Sequence, residues 1–233
     1  MPRILFLRPK PKISHKMSLD FYDHLPQNYS GVIIFPVSKK IMKLYRNRVI
    51  GRFKCYPILK IALPVPIRIC WEITYYLYKA LSLHFFNKKF DLIIAYTPLK
   101  TGFIGLLLSK LTKAKLIVEI PGNFKKAFIL DSETSCFLLT LKSKIANLLV
   151  PFIINRVDHI KLLYPTQLNG YRNIKRVSQS IFHDFVPISA IKPSEESDKY
   201  ILFLGFPWYL KGVDILIKAF KLISNEFPEY RLK

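Results

Sequence analysis

The sequence lacks the residue patterns that mark disulfide, zinc and hydrolase sites. Its three cysteines, Cys55, Cys70 and Cys136, include no CxxC pair. We therefore expect free thiols in a reducing compartment rather than a disulfide framework or a zinc site. The histidines show no HExxH spacing, and a Gly-x-Ser-x-Gly elbow is absent, so metalloprotease and α/β-hydrolase sites are unsupported. No metal or other cofactor is expected.

Acidic residues are scarce. The 233-residue chain has 37 Lys and Arg against 15 Asp and Glu, a net charge of +22. Such a field favours polyanionic partners, namely nucleic acid, nucleotide phosphates or an anionic membrane surface. The alternative is a lysine-rich composition with its charge on solvated faces. No RRM, KH or helix-turn-helix pattern accompanies the charge, so nucleic-acid binding is the weaker hypothesis.

Long hydrophobic runs are also absent. No window reaches the roughly 18 uncharged apolar residues of a membrane-spanning helix. The N-terminal stretch MPRILFLRPKPK has too short an apolar core for a signal peptide. We expect a cytoplasmic protein, with peripheral attachment to the inner face of the cell membrane left open.

Apolar residues make up 51% of the chain, which favours a folded protein, and they form alternating strand-like and helix-like segments. This alternation predicts an α/β fold with a Rossmann-like, doubly wound parallel sheet. Strands are expected at Arg3–Leu7, Gly31–Val37, Asp91–Tyr96, Lys115–Ile120 and His159–Leu163, and helices at Leu19–Leu25, Ile67–Phe86, Lys100–Leu111 and Ser135–Asn155.

Ligands of such sheets bind beyond the carboxyl ends of the strands. The segments Tyr96–Pro98, Pro121–Asn123 and Tyr164–Thr166 follow three predicted strands and should line one edge. Glu119 stands at a strand end beside the Pro-Gly-Asn turn, a position suited to a site, although a turn alone would explain the same residues.

The region 39–60 holds eight Lys and Arg, no acid, and several interleaved aromatic residues. It precedes the aromatic-rich helix predicted at Ile67–Phe86. Basic residues beside such a helix suit an anionic lipid surface. A core helix flanked by a solvated basic loop explains the pattern equally well.

The stretch from Tyr200 to Phe220 predicts a buried strand at Tyr200–Leu204, a glycine-containing loop with Lys211, and a helix carrying Asp214 in its first turn. Strand, loop and helix can present backbone N–H groups and a lysine to a phosphate. An ordinary βα unit with a surface lysine is the alternative, since no complete GxGxxG or P-loop pattern occurs.

The polar segment 188–199 separates this stretch from the rest of the chain and predicts an interdomain linker. We therefore expect a first domain over residues 1–187 and a second, incomplete one over residues 200–233.

Three segments in order resemble the family 4 glycosyltransferases. They are DLIIAYTPLKTGFIGLLLSKLTKAKLIVEIPGN (Asp91–Asn123), VDHIKLLYPTQLNGY (Val157–Tyr171) and the segment Tyr200–Phe227. The resemblance implies a GT-B fold, with an N-terminal acceptor-side domain and the start of a Rossmann-like donor-binding domain. It implies retaining transfer of a hexosyl group from a nucleotide diphosphate sugar to a cell-envelope or lipid-linked glycan.

The resemblance also implies site residues but assigns no catalytic residue. The donor phosphates would be bound by Gly205, Lys211 and Gly212. The acceptor side of the cleft would include Arg8, Lys10, Thr97, Gly122, Asn123 and Thr166.

The sequence departs from the family pattern in three respects. Phe206 replaces the arginine expected after Gly205, and the loop Arg8–Lys16 lacks a glycine pair. The family's pair of glutamates would lie beyond Lys233. A non-catalytic fragment or subunit that needs a separate C-terminal half is therefore the alternative to a complete enzyme.

Overall fold

A computed structural model describes residues 1–9, 21–122, 136–183, 199–205, 208 and 211–233, without the side chains of Val65 and residues 136–142. The chain divides into two compact units, Met1–Pro187 and Ile188–Lys233. The predicted site residues Lys10 and Asn123, and most of the predicted linker, lie outside the described residues.

The first unit is built on an eight-stranded sheet of order β3-β4-β2-β1-β5-β6-β7-β8, in which the pair β3–β4 is antiparallel and the other pairs are parallel. The strands are β1 (Arg3–Leu7), β2 (Ser30–Val37), β3 (Val49–Ile50), β4 (Phe53–Leu59), β5 (Leu92–Ala95), β6 (Lys115–Ile120), β7 (His159–Leu162) and β8 (Gln179–Ile181). The prediction of a Rossmann-like α/β fold is confirmed.

Helices cover the sheet on both faces. They are α1 (Lys39–Tyr45), α2 (Val65–Phe86), α3 (Lys100–Thr112) and α4 (Cys136–Ile154). Leu5 and Leu7 of β1 belong to a core with residues of α2, α3 and α4, whereas Ile4 and Phe6 belong to a second core with Tyr45 of α1. Alternate strand residues point to opposite faces, so β1 is buried on both sides, as a central parallel strand requires.

The basic region 39–60 is not a solvated loop. It contains α1 and the strand β4, which pairs along its whole length with β2. Phe53, Cys55 and Ile58 are buried, whereas Lys54 is exposed. Lys54 interrupts the apolar run, and this concealed the strand. The helix expected at Leu19–Leu25 is also wrong where it is described, because residues 21–24 form turns.

Gly31 is required by the close approach of β1 and β2. A Cβ atom on Gly31 would lie 1.8 Å from the carbonyl oxygen of Ile4. Real Cβ atoms do not make such contacts, so any larger residue would push the two central strands apart.

The two described cysteine side chains differ in environment. Cys55 is buried in the second core and Cys70 is exposed on α2, and both are free thiols. Burial raises the pKa of the Cys55 thiol to about 11. The thiolate is the nucleophile, so Cys55 should be nearly inert at neutral pH.

We expect iodoacetamide at pH 8 to alkylate Cys70 in the native chain well before Cys55. Mass spectrometry of tryptic peptides over time measures both rates. Denaturation in urea should bring the two rates together, because it removes the burial of Cys55. Equal native rates would contradict the packing of β4.

The second unit contains two parallel strands, β9 (Tyr200–Ile201) and β10 (Arg231–Leu232), and the helix α5 (Val213–Ile223). The prediction of a buried strand at Tyr200–Leu204 is wrong. The strand has two residues, and Leu204 is 82% exposed. No described residue of this unit is buried, because one helix and two short strands cannot enclose a core.

Within the described part of the chain, no helix has the length and apolar character needed to cross a membrane.

Candidate functional site

The first unit gathers predicted site residues at the carboxyl edge of its sheet. Strands β1, β5, β6 and β7 are adjacent and parallel, so the loops that follow them meet at one edge. Arg8, Thr97, Gly122 and Thr166 lie at or just beyond the ends of these strands. Such an edge is the usual ligand-binding side of a doubly wound sheet.

Arg8 follows β1 and is enclosed by tyrosines. Its guanidinium lies 4.3 Å from the ring centroid of Tyr96, and its Nη1 donates to the Tyr22 hydroxyl at 3.2 Å. The Tyr76 hydroxyl donates to the Arg8 carbonyl at 2.6 Å. Tyr96 belongs to a segment predicted to line this edge, whereas Tyr22 and Tyr76 were not predicted, because only the fold brings them to Arg8.

Arg8 keeps its positive charge although it is largely enclosed. Burial lowers the pKa of Arg8, but the neighbouring hydroxyls of Tyr22 and Tyr96 raise it. The pKa therefore lies above its ordinary value. Burial raises the pKa of Tyr22 and Tyr96. Both phenols therefore stay protonated, and Arg8 is a fixed cation at the sheet edge.

Thr97 lies at the turn between β5 and α3, where its polar groups are engaged. Its N–H donates to the Thr101 hydroxyl at 3.0 Å, and the two hydroxyls lie 2.9 Å apart. Gly102 packs against the same turn, since a Cβ there would lie 2.9 Å from the Thr97 carbonyl oxygen. Thr97 is thus at the predicted edge, with its hydroxyl held by Thr101.

An ion pair between Glu72 of α2 and Lys100 of α3 also lies at this edge. Lys100 begins α3 directly after the turn that follows β5. Glu72 is 4% exposed. One feature of the sequence could have pointed to Glu72, since it is the only acid between Asp23 and Asp91.

Gln167 holds together the loops that follow β6 and β7. Its Nε2 donates to the carbonyl oxygens of Ile120 and Gly122 at 2.7 and 3.0 Å. Its Oε1 accepts from the Leu163 N–H at 2.8 Å, and its side chain is buried. The adjacent predicted residue Thr166 is exposed. Gln167 therefore fixes the loop that carries Gly122, where nothing lies within 4 Å of an added Cβ.

Replacing Gln167 with Leu should lower the free energy of unfolding by about 3 kcal/mol, because it leaves one N–H and two carbonyl groups without this partner. Chemical denaturation measures the loss. Gln179→Leu, at an exposed position in β8, is the control and should change stability by no more than about 0.5 kcal/mol. Equal stability of the two variants would contradict the role of Gln167.

The second unit brings together the three residues predicted to bind donor phosphates. An added Cβ at Gly205 would lie 2.9 Å from Lys211 Cγ, so the glycine backbone packs against the lysine side chain. Gly212 adopts φ +72° as the N-cap of α5, a conformation that favours glycine. Lys211 itself is exposed, and its N–H donates to the Trp208 carbonyl at 3.1 Å. Asp214 lies in the first turn, as predicted.

Several solved structures resemble the chain. Sucrose-phosphate synthase from Thermosynechococcus elongatus aligns with 100% of it at 11% identity and a TM-score of 0.72. Phytolacca americana UGT2, complexed with UDP-2fluoro-glucose and pterostilbene, aligns with 87% at 10% identity and a TM-score of 0.53. A UDP-N-acetylglucosamine 2-epimerase aligns with 99% at 12% identity and a TM-score of 0.53. The fold is of the GT-B type.

These alignments cover 61%, 59% and 62% of the synthase, UGT2 and epimerase structures respectively, so the chain spans about three fifths of their length. No family model and no curated protein matches the sequence. A sucrose-phosphate synthase, a UGT and an epimerase share the fold, so the fold alone does not decide the reaction.

Proposed function

We propose that the chain is part of a retaining glycosyltransferase of the family 4 type, which transfers a hexosyl group from a nucleotide diphosphate sugar to a cell-envelope or lipid-linked glycan. The supporting observation is the contact of Lys211 with Gly205 beside the N-terminus of α5. A glycine that leaves room for a lysine, next to a helix N-terminus, is an arrangement suited to a diphosphate.

The proposed chemistry depends on charge in the leaving group. Departure of the nucleotide diphosphate builds negative charge on its oxygens, and a fixed cation stabilises that charge in the transition state. Lys211 supplies the cation, and the first N–H groups of α5 supply partial positive charge. The proposal requires no metal ion. The acceptor is assigned to the carboxyl edge of the first unit, with Arg8, Thr97, Gly122 and Thr166.

Lys211→Ala should reduce kcat/KM by about 100-fold, the usual effect of removing one group that stabilises transition-state charge. The assay is release of nucleoside diphosphate by the full-length protein from a panel of nucleotide sugars, with transferred product detected by mass spectrometry. Lys218→Ala is the matched control, because Lys218 is also an exposed lysine but lies within α5, away from its N-terminus.

Equal turnover in Lys211→Ala and wild type would overturn the role of Lys211. Absence of turnover with every nucleotide sugar would favour the alternative of a non-catalytic subunit that needs a separate C-terminal half. Epimerised sugar nucleotide without transferred product would overturn the transferase assignment.

We also propose that this enzyme works at the inner face of an anionic membrane. Strands β2 and β4 end side by side, since the Lys60 N–H donates to the Val37 carbonyl at 2.8 Å. The helices α1 and α2 follow these two strand ends. Exposed side chains from this corner form what we call the edge patch: Lys39, Lys40, Lys60, Ile67 and Trp71.

The composition of the edge patch suits lipid better than nucleic acid. It combines aliphatic and indole groups with lysines, and no acid occurs between Gly31 and Trp71. Apolar side chains that enter the headgroup region and lysines that meet anionic lipids are the usual components of interfacial binding.

The double substitution Ile67→Ser, Trp71→Ser should abolish most binding to vesicles of anionic phospholipid in a co-sedimentation assay. Phe85→Ser with Phe86→Ser is the control, because these residues are exposed at the other end of α2. The control should bind as the wild type does. Equal loss in both variants, or tighter binding to RNA than to vesicles at physiological salt, would contradict the proposal.

A further inference from the structure

A row of four polar side chains crosses the sheet of the first unit near its carboxyl edge. Glu119 and Lys161 are registered partners in β6 and β7. Tyr96 and Arg8 lie one residue beyond the registered pairs Ala95–Val118 and Leu7–Ala95. In parallel strands registered residues share a face, so Arg8, Tyr96, Glu119 and Lys161 follow one another on the same side of four adjacent strands. We call them the polar row.

The contacts within the polar row are direct. Lys161 Nζ lies 3.2 Å from the Glu119 carboxylate, and the Arg8 guanidinium covers the Tyr96 ring. The charge of Glu119 also supports that of Arg8. In order across the sheet, the polar row is thus the cation of Arg8, the protonated phenol of Tyr96, the carboxylate of Glu119 and the cation of Lys161.

Charged groups are an unusual choice for this part of the sheet. Two residues earlier on the same face, β1 and β5 carry Phe6 and Ile94. Glu119 is only 8% exposed, whereas the side chain of Lys161 is 29% exposed and Arg8 is half-buried. Partial burial of ionised groups costs desolvation, and replacing them with apolar residues is often neutral or stabilising. A contribution to stability therefore does not explain the polar row, whereas a role in ligand binding does.

We propose that the polar row binds an anionic oxygen group, a phosphate or a carboxylate, through Arg8 and Lys161. Glu119 holds Lys161 in place, and its charge competes with the ligand for both cations. Because the polar row ends at the carboxyl edge assigned to the acceptor, the inference deepens the proposed function: the acceptor is an anionic glycan or a phosphate-bearing lipid carrier.

Direct titration with inorganic phosphate and with acetate, by calorimetry on the full chain, tests the proposal and separates the two ligand chemistries. Lys161→Met should weaken binding of the preferred anion by about tenfold, as expected for loss of one charge-assisted hydrogen bond. Glu119→Gln should tighten it severalfold, because it removes the competing carboxylate.

Charge-matched variants separate this site from general attraction to a basic chain. Lys115, the first residue of β6, forms another ion pair with Asp158, which directly precedes β7, and its Nζ lies 2.8 Å from the carboxylate. The side chain of Lys115 is far more exposed than that of Lys161. Lys115→Met and Asp158→Asn make the same charge changes as Lys161→Met and Glu119→Gln. Neither control should alter the affinity.

The double variant Glu119→Gln, Lys161→Met keeps the net charge and leaves no carboxylate without its lysine. It should fold, as checked by circular dichroism, and lose the anion. Equal effects of Lys161→Met and Lys115→Met, or unchanged affinity in the double variant, would overturn the proposal. The titration uses no nucleotide sugar, so anion binding without sugar transfer would overturn the proposed function alone.

Discussion

The pairing of β1 between β2 and β5 is the constraint on which the first unit depends. It places Arg8 at the carboxyl edge, and it splits the apolar residues of β1 between two cores. The closeness of this pairing is visible at Gly31, where the Ile4 carbonyl occupies the space of a side chain. Parallel neighbours on both sides then bring the ends of β5, β6 and β7 to the same edge, and the candidate site follows from that geometry.

Polar side chains at this edge are held by hydrogen bonds and ring contacts within the protein. Gln167 joins two loops, Thr101 holds Thr97, and tyrosines enclose Arg8. Such side chains keep their orientation before a ligand arrives, which reduces the cost of binding. The second unit differs, because none of its described residues is buried and Lys211 is exposed. The arrangement that we propose for phosphate binding rests on local backbone geometry at Gly205 and Gly212.

The sequence was a good guide where apolar runs were uninterrupted. It predicted β1 and β6 to the residue, and α2 within two residues. It failed at β4, where Lys54 interrupts the apolar run, and at Tyr200–Leu204, where an apolar run is mostly exposed. In both cases burial depends on which segments cover the strand, and a local pattern does not contain that information.

The sequence by itself determined the α/β class, the order of the main elements and the excess of basic residues, because hydrophobic periodicity and charge are local properties. It also named Arg8 and Lys211 through a resemblance. The tertiary structure alone decided that Arg8, Tyr96, Glu119 and Lys161 form one row, and that Glu72 pairs with Lys100. These groups are separated by 20 residues or more, and the register of parallel strands and the packing of helices bring them together.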